Sequence, residues 1–193
     1  WKLKRGVAWL LRFKEMLVKR ARKKEATSST SEMETKDLTV SELRKAESVI
    51  LRHVQQVAFS EVKAILSAER CKSKKTLKGS GHSIYKLNPA LKNDLIVVGG
   101  RLTRAKMIED AKHQIILPYK SRVTDLIIEE SHSNVGHMGQ ESVLSTLRER
   151  FWVVKGRSAV RRVIKRCLDC QRRKCQPGEQ LMSDLPKERI TPD

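Results

Sequence analysis

The chain has 193 residues, enough for one medium-sized domain or two small ones with a real hydrophobic core. Its 41 Lys and Arg residues outnumber its 22 Asp and Glu residues, and the net charge of +19 favours a polyanionic partner, either nucleic acid or an anionic membrane surface. The sequence contains no apolar run of the about 18–20 residues that span a membrane and no signal-peptide pattern. Its four cysteines then favour a reducing compartment. We therefore expect an intracellular protein, nuclear or cytoplasmic, that is not secreted.

Most of the charge lies in two segments. Residues 1–24 contain ten Lys or Arg residues and one acid, a net charge of +9. Residues 155–175 contain nine Lys or Arg residues and one acid, a net charge of +8. Because the remainder of the chain is nearly neutral, these two segments are the candidates for contact with a polyanion.

Residues 1–24 are predicted to form a basic amphipathic helix, because apolar residues recur there at helical spacing among Lys and Arg. We consider docking on a neighbouring domain, a membrane surface or nucleic acid as alternative roles for it. Since the chain begins with Trp1 rather than Met, we expect it to be a piece of something longer.

A second helical segment is predicted between two linkers. Residues 25–36 are polar and rich in Ser, Thr and Glu, and residues 70–83 are rich in Lys, Ser and Gly, so both are predicted to be linkers. Residues 37–69 contain apolar residues at helical spacing. Thr39 followed by Glu42 predicts a capping box at the start of this helix.

Residues 84–118 are predicted to form a small β-hairpin-like unit. Two short β-prone runs, Leu95–Val98 and Ile115–Leu117, suggest its strands, and Gly99 with Gly100 suggests a turn. The fold class expected for the whole chain is mostly α. It is a small zinc-stabilised helical bundle preceded by this β unit and by helical N-terminal segments.

Residues 119–176 show the most regular helical pattern. Ser121 or Thr124 is predicted to cap a first helix, and a glycine-containing bend at 135–139 precedes a second. A short extended piece at 151–154 leads into a last helix from about Ser158, whose outer face is basic. Residues 177–193 are polar and contain three prolines, which predicts a linker.

Two His and two Cys residues in this region have the spacing of a zinc site. Four residues separate His132 from His137, two separate Cys167 from Cys170, and 29 lie between the pairs. Zn²⁺ binds imidazole nitrogen and thiolate sulfur tetrahedrally, and four protein ligands leave no position for a reactive water. The four residues predict one structural Zn²⁺ and no reaction centre. A redox role for the two cysteines would require a strand before them, whereas a basic helix is predicted there.

The other cysteines and histidines are given ordinary roles. Cys175 follows Cys170 by five residues and is expected to be a free thiol, with substitution for one of the ligands as the alternative. Cys71 lies in a predicted linker and is expected to be unligated. The remaining histidines are expected to be surface or core residues; they are His53, His82 and His113.

The pattern His132-x4-His137-x29-Cys167-x2-Cys170 resembles the His-His-Cys-Cys zinc-binding domain at the N-terminus of retroviral and retrotransposon integrases. The wider sequence resembles the matching region of Pao/BEL-type retrotransposon polyproteins; the segments that carry this likeness are 38–59, 98–102, 115–118 and 184–192. The resemblance implies a position after the reverse transcriptase and ribonuclease H regions and just before the integrase catalytic core. Residues 177–193 would then lead toward that core.

The resemblance implies a non-catalytic zinc-binding module that supports DNA-end binding and multimer assembly during DNA integration. The acids of this chain do not form the carboxylate set of an integrase core, so no enzymatic activity is expected. The expected partners are DNA, bound largely without sequence preference, and either a second copy or adjacent integrase domains. The candidate phosphate-binding residues are Arg157, Arg161, Arg162, Lys165, Arg166, Arg172, Arg173 and Lys174. The alternatives are a zinc-stabilised protein-interaction domain of a host gene derived from a retroelement, or a decayed fragment.

Overall fold

A computed structural model describes residues 2–23, 37–68, 84–100, 102, 105, 106, 108–175, 178, 182–186 and 189. The helices of this part are α1 (Lys2–Lys23), α2 (Val40–Ala58), α3 (Ser60–Ala68), α4 (Glu109–Lys112), α5 (Arg122–Asn134), α6 (Gln140–Arg148), α7 (Gly156–Ile164) and α8 (Leu168–Lys174). The strands are β1 (Pro89–Lys92), β2 (Leu95–Val98), β3 (Ile115–Leu117) and β4 (Phe151–Val153). This mostly helical fold with a small sheet confirms the predicted fold class. The predicted linkers at 25–36 and 70–83, with Cys71 and His82, lie outside the described residues, as does much of 177–193.

Helix α1 packs on α2 in antiparallel orientation. Ala8 is buried at the contact, and one ion pair lies on each side of it along α1. Lys4 Nζ is 3.0 Å from Glu47 Oε2, and Arg12 makes a two-pronged contact with Glu42, with Nε and Nη2 each 2.7 Å from a carboxylate oxygen. None of the described helices is both long and apolar enough to cross a membrane.

The predicted capping box begins α2. Thr39 Oγ1 accepts a hydrogen bond from the Glu42 amide at 3.3 Å, and the Glu42 carboxylate accepts one from the Thr39 amide at 2.7 Å. These bonds satisfy amides that a helix start leaves without intrahelical partners. Glu42 therefore serves two contacts, the start of α2 and the attachment of α1.

Gln55 joins α2 to the sheet. Its side chain is fully buried, and its amide nitrogen donates to the carbonyls of Ile96 and Ile116 at 2.8 Å each. Its amide oxygen accepts from the Ile96 amide at 2.8 Å. Because β2 and β3 are paired only at Val97 and Ile115, the Gln55 side chain supplies the bonds that a longer ladder would have made.

The sheet has the order β1-β2-β3-β4. Strands β1 and β2 form an antiparallel hairpin through Asn93 and Asp94, both with positive φ. The hairpin thus comes one strand earlier than predicted, and Gly99 and Gly100 follow β2 instead of joining two strands. The physical reason is that Asn and Asp tolerate the left-handed conformation of a two-residue hairpin turn, while the short β1 begins with Pro89 and has little β-strand pattern.

Strand β4 pairs with β3 in parallel, in the register Ile115 to Phe151 and Leu117 to Val153. The sheet therefore includes strands from both sides of the expected boundary at 118/119. Helices α5, α6 and α7 pack against β3 and β4 around a core that also contains Leu51 of α2. This packing holds α5 and α7 near each other, and α5 and the turn after α7 carry the predicted zinc ligands.

Candidate metal centre

The first ligand pair is positioned by the end of α5. His132 lies in its last turn and is 3% exposed. After Val135 the chain turns through Gly136 at φ +66° and His137 at φ +61°. The Gly136 amide donates to the Ser133 carbonyl at 3.0 Å and the His137 amide to the His132 carbonyl at 3.0 Å. This pair of bonds defines a Schellman motif, which folds His137 back beside His132.

The second ligand pair is positioned by the start of α8. Cys167 occupies its N-cap and Cys170 lies one turn further on. Residues three apart in a helix share a face, so this first turn directs both sulfur atoms the same way. Cys170 is buried and Cys167 is partly exposed.

The four ligand atoms converge on one point. His132 Nε2 is 3.1 Å from His137 Nδ1 and 3.1 Å from Cys170 Sγ. Cys167 Sγ and Cys170 Sγ are 3.2 and 3.9 Å from His137 Nδ1, and all four atoms lie within 4.8 Å of one another. A tetrahedral ion with bonds of about 2.0–2.3 Å separates its ligand atoms by about 3.3–3.8 Å. The group is therefore suited to one Zn²⁺ ion, as predicted.

The surroundings of the two histidines differ. Burial, and then the charge of His137, lower the pKa of His132, which keeps its imidazole in the neutral form that binds a metal. With Nε2 as the ligand atom, the ring proton lies on Nδ1, which is buried with no hydrogen-bond partner among the described residues. His137 Nε2, by contrast, lies 3.6 Å from Asp169 Oδ2. Asp169 stands between the two cysteines and was missed, although its position in the Cys-x-x-Cys segment was visible in the sequence.

The thiols require deprotonation before they bind a metal. Burial raises the pKa of Cys170, and the nearby Cys167 raises it further. Zinc binding at neutral pH must therefore release protons from the sulfur side of the site. Cys175 is exposed and lies outside the converging group. Within the described residues, no second cluster of three or more His, Cys, Asp or Glu side chains has this geometry.

The predicted phosphate-binding residues fall on α7, α8 and the turn between them. Seven of the eight are exposed: Arg157, Arg161, Lys165, Arg166, Arg172, Arg173 and Lys174. We call these seven the basic set. Arg162 differs, because it is half-buried and contacts Asp125 and Tyr119. Arg162 is thus the one candidate of the eight that the structure does not place among the exposed cations. Successive residues of a helix point in different directions, so Arg162 faces α5 whereas Arg161 faces solvent.

The fold and the ligand geometry define a His-His-Cys-Cys zinc-binding domain. Residues 120–176 match the family model of the integrase zinc binding domain, and the matched segment contains all four ligands. This part of the chain is thus an integrase-type zinc-binding domain. Comparison with curated proteins and with solved structures finds no match.

Proposed function

We propose that the chain is a non-catalytic module of an integrase-like protein from a Pao/BEL-type retrotransposon, and that it helps to engage DNA ends. The observation that carries this proposal is the exposure of the basic set on the two helices that flank Cys167. The family match supports the integrase context, and the likeness of the flanking segments supports the Pao/BEL assignment.

The physical basis for DNA contact is the release of counterions. Each phosphate that a Lys or Arg neutralises releases condensed cations, so affinity falls steeply with salt. Few acids offset the basic set: Glu141 lies 3.3 Å from Arg157, and Asp169 faces His137. Phosphate contacts of this kind position a protein on a duplex without reading its sequence.

The test is a salt titration of duplex DNA binding by the zinc-loaded chain. We expect the affinity to fall by about 10³-fold or more between about 50 and 200 mM salt if six or more of the basic set contact phosphates. Changing Arg172, Arg173 and Lys174 together to Gln should weaken binding at least tenfold and reduce the salt slope by about 3.

The matched control changes three exposed cations elsewhere to Gln, namely Arg44, Lys45 and Lys86. It removes the same charge, so equal losses in both triple variants would show a general charge effect and contradict the proposed DNA-binding surface. Salt-independent binding, or no binding at low salt, would contradict DNA engagement altogether.

Multimer assembly is the second part of this proposal. Its support is the resemblance to integrase domains, which implies self-association or contact with adjacent integrase domains. Sedimentation velocity of the zinc-loaded chain over a range of concentrations tests it. A monomer at all concentrations, with or without DNA, would contradict self-association.

A zinc-stabilised protein-interaction domain is the second candidate function, favoured by a different observation. Helix α1 leaves large apolar side chains exposed, including Leu10 and Phe13. Changing Arg161, Lys165 and Arg166 to Gln tests the DNA role, and changing Leu10 and Phe13 to Asn tests the interaction role. Loss of DNA binding only in the first variant supports the DNA role, and loss of protein contacts only in the second supports the interaction role.

A further inference from the structure

An open cavity of about 420 Å³ lies beside β4, between the end of α6 and the start of α7. We call it the β4 cavity. Three cations line it, namely Arg148, Lys155 and Arg157, and no acid of the described residues does. Its volume lies within the range of about 300–1,000 Å³ that is usual for small-molecule sites. The β4 cavity therefore has the size of a ligand site and a wall that favours an anion.

Two larger cavities of the described residues have walls of mixed charge. Their volumes are about 580 and 590 Å³, and Glu47 lies in the walls of both. Glu130 and Glu149 also line the first, and Asp110 lines the second. An anion that entered either cavity would meet carboxylates as well as cations. Of these three cavities, the β4 cavity is thus the one suited to an anion.

The cations of the β4 cavity are available to a ligand. Within the described residues, neither Arg148 nor Lys155 makes an ion pair, and both are exposed. Arg157 lies 3.3 Å from Glu141, but both side chains are largely exposed, and such a surface pair contributes little. An incoming phosphate therefore displaces no strong partner.

Trp152 adds an aromatic surface to the same cavity. Its side chain is partly exposed, and the guanidinium carbon of Arg148 lies 5.8 Å from the centre of its ring. Nucleobases stack on aromatic rings and on guanidinium planes. Cations alone attract any phosphate, whereas cations beside a tryptophan ring favour a phosphate that carries a base.

The first turn of α7 forms another part of the wall. Gly156, Arg157 and Ser158 line the cavity, and the N-cap residue Lys155 supplies no side-chain hydrogen bond to the helix start. Amides at a helix start have no intrahelical partner, and the helix dipole favours an anion beside them. This effect adds to that of the cations, while the ring of Trp152 is what distinguishes a nucleotide from a simple anion.

We infer that the β4 cavity binds one unpaired nucleotide of DNA, with its phosphate at Arg148, Lys155 and Arg157 and its base on Trp152. A base that is paired and stacked in a duplex cannot enter a cavity, so the nucleotide must be unpaired. Arg157 also belongs to the basic set, which places the cavity next to the proposed DNA-binding surface. The inference deepens the proposed engagement of DNA ends and rests on it for the source of the nucleotide, a single-stranded end.

The experiment measures binding of the zinc-loaded full chain to three labelled duplexes by fluorescence anisotropy. One is blunt, one ends in a tail of unpaired thymidines, and one ends in an abasic sugar-phosphate tail of the same length. We expect the thymidine tail to bind at least about fivefold more tightly than the other two, because stacking of one base on an aromatic side chain has an effect of that size. The abasic tail has the same charge, so this comparison isolates the base.

Substitution of Trp152 tests the aromatic wall. Trp152→Leu should abolish the preference for the thymidine tail and leave binding of the blunt duplex unchanged, whereas Trp152→Phe keeps a ring and should retain part of the preference. Trp9→Leu is the matched control. Trp9 also lies beside an arginine, with the Arg12 guanidinium carbon 4.8 Å from its ring centre, but Arg12 is paired with Glu42. This variant should keep the full preference, and circular dichroism and zinc content check the fold of all three.

Tryptophan fluorescence gives a direct measure of stacking. The chain has three tryptophans, so changing Trp1 and Trp9 to Phe leaves Trp152 as the reporter. The thymidine tail should quench its emission and the abasic tail should not. Thymidine 5′-monophosphate should not displace the tailed duplex at equal concentration, because it lacks the contacts of the duplex; displacement would assign the cavity to free nucleotides and contradict the DNA source.

Three results would overturn the inference. They are equal binding of the thymidine and abasic tails, a tail preference that survives Trp152→Leu, and quenching of Trp152 by a polyglutamate peptide but not by the thymidine tail. The last would assign the cavity to an acidic protein segment. In each case salt-dependent binding of the blunt duplex still tests the basic set alone. Conversely, binding that requires the thymidine tail, with no salt-dependent binding of the blunt duplex, would contradict the proposed duplex contact and leave the nucleotide site standing.

Discussion

Arg162 on α7 donates a hydrogen bond to Asp125 on α5 and lies over the ring of Tyr119, with its guanidinium carbon 4.6 Å from the ring centre. The Asp125 hydrogen bond also raises the pKa of Arg162. The side chains of Arg162 and Asp125 are only 23% and 13% exposed. This ion pair therefore joins the helix that carries His132 to the helix that precedes Cys167.

Neighbouring arginines on α7 should respond differently to substitution. Arg162→Gln is expected to lower the free energy of unfolding by about 1–3 kcal/mol, because it leaves a largely buried carboxylate without its cation. Arg161→Gln removes the same charge from an exposed position and should change stability by less than about 0.5 kcal/mol. Urea denaturation measures both, and equal effects would contradict the assignment of Arg162 to the fold.

Substitution of Gly136 is expected to destabilise the fold because of its backbone conformation alone. Its φ is +66°, and a side chain placed there would meet nothing within 4 Å. Gly136→Ala should therefore cost about 1–2 kcal/mol through left-handed strain. Gly139 is an equally open position at φ −57° and is the N-cap of α6, so Gly139→Ala should cost less, about 0.5–1 kcal/mol, from the poorer cap that Ala makes. Thermal unfolding of the zinc-loaded variants compares them, and a neutral Gly136→Ala would contradict the Schellman argument.

Removal of a zinc ligand should unfold the domain that contains it. Structural zinc contributes about 10–16 kcal/mol in small peptide domains, which is as large as the whole stability of a typical fold. Cys170→Ser should lower zinc affinity by more than about 100-fold and broaden the amide NMR signals of residues 120–176, as should a chelator added to the unaltered chain.

Cys175→Ser is the control for this experiment, because Cys175 is an exposed thiol outside the ligand group. It should bind one Zn²⁺ per chain with unchanged affinity. If Cys175→Ser loses zinc while Cys167→Ser retains it, the ligand set is wrong.

The contact between Glu42 and Arg12 should depend on pH. The Arg12 hydrogen bond, followed by that from the Thr39 amide, lowers the pKa of Glu42 from 4.5 to about 2. A carboxylate with a lowered folded-state pKa stabilises the fold fully above pH 4.5, and this stabilisation is lost as the pH falls from 4.5 toward 2. Since the pair is partly exposed to solvent, its contribution is about 1 kcal/mol.

Urea denaturation of the unaltered chain and of Glu42→Gln measures this contribution. The difference in unfolding free energy should be constant between pH 5 and 7 and shrink below pH 4.5. Both proteins lose zinc alike in acid, so the difference isolates Glu42. A difference that stays constant to pH 3 would contradict the proposed pairing.

Gln55 should be essential for the attachment of the sheet to α2. Gln55→Met keeps the size of the side chain but leaves the Ile96 amide and the carbonyls of Ile96 and Ile116 without this partner. The expected loss is about 2–5 kcal/mol. The adjacent Gln56 is exposed, so Gln56→Met should be close to neutral. Similar losses for the two variants would show that the cost comes from helix propensity rather than from the sheet contacts.

Some features of this fold were predictable because they depend on residues close together in the chain. The capping box of α2 requires only Thr39 and Glu42, and both of its hydrogen bonds are present. The zinc ligands form two local pairs, each placed by one helix end. A sequence pattern reports such arrangements directly, since the local backbone conformation determines which side chains meet.

Other features were decided by contacts between distant segments. Nothing in the local sequence distinguishes Gln55 from a surface glutamine. It is buried because it fills the gap between β2 and β3 and bonds to both strands. The parallel pairing of β3 and β4 joins residues 115–117 to residues 151–153, which no local pattern indicates. Arg162 sits among exposed cations in the sequence, and the position of Asp125 on another helix decides that it faces inward.

By itself, the sequence determined the identity of the four zinc ligands and the basic character of the helices beside them, because ligand chemistry and charge belong to the residue types. Only the tertiary structure decided which cations are exposed, which are used by the fold, and which face of α1 remains uncovered. The physical reason is that exposure and pairing depend on how separate elements pack, and that packing brings together side chains far apart in the chain.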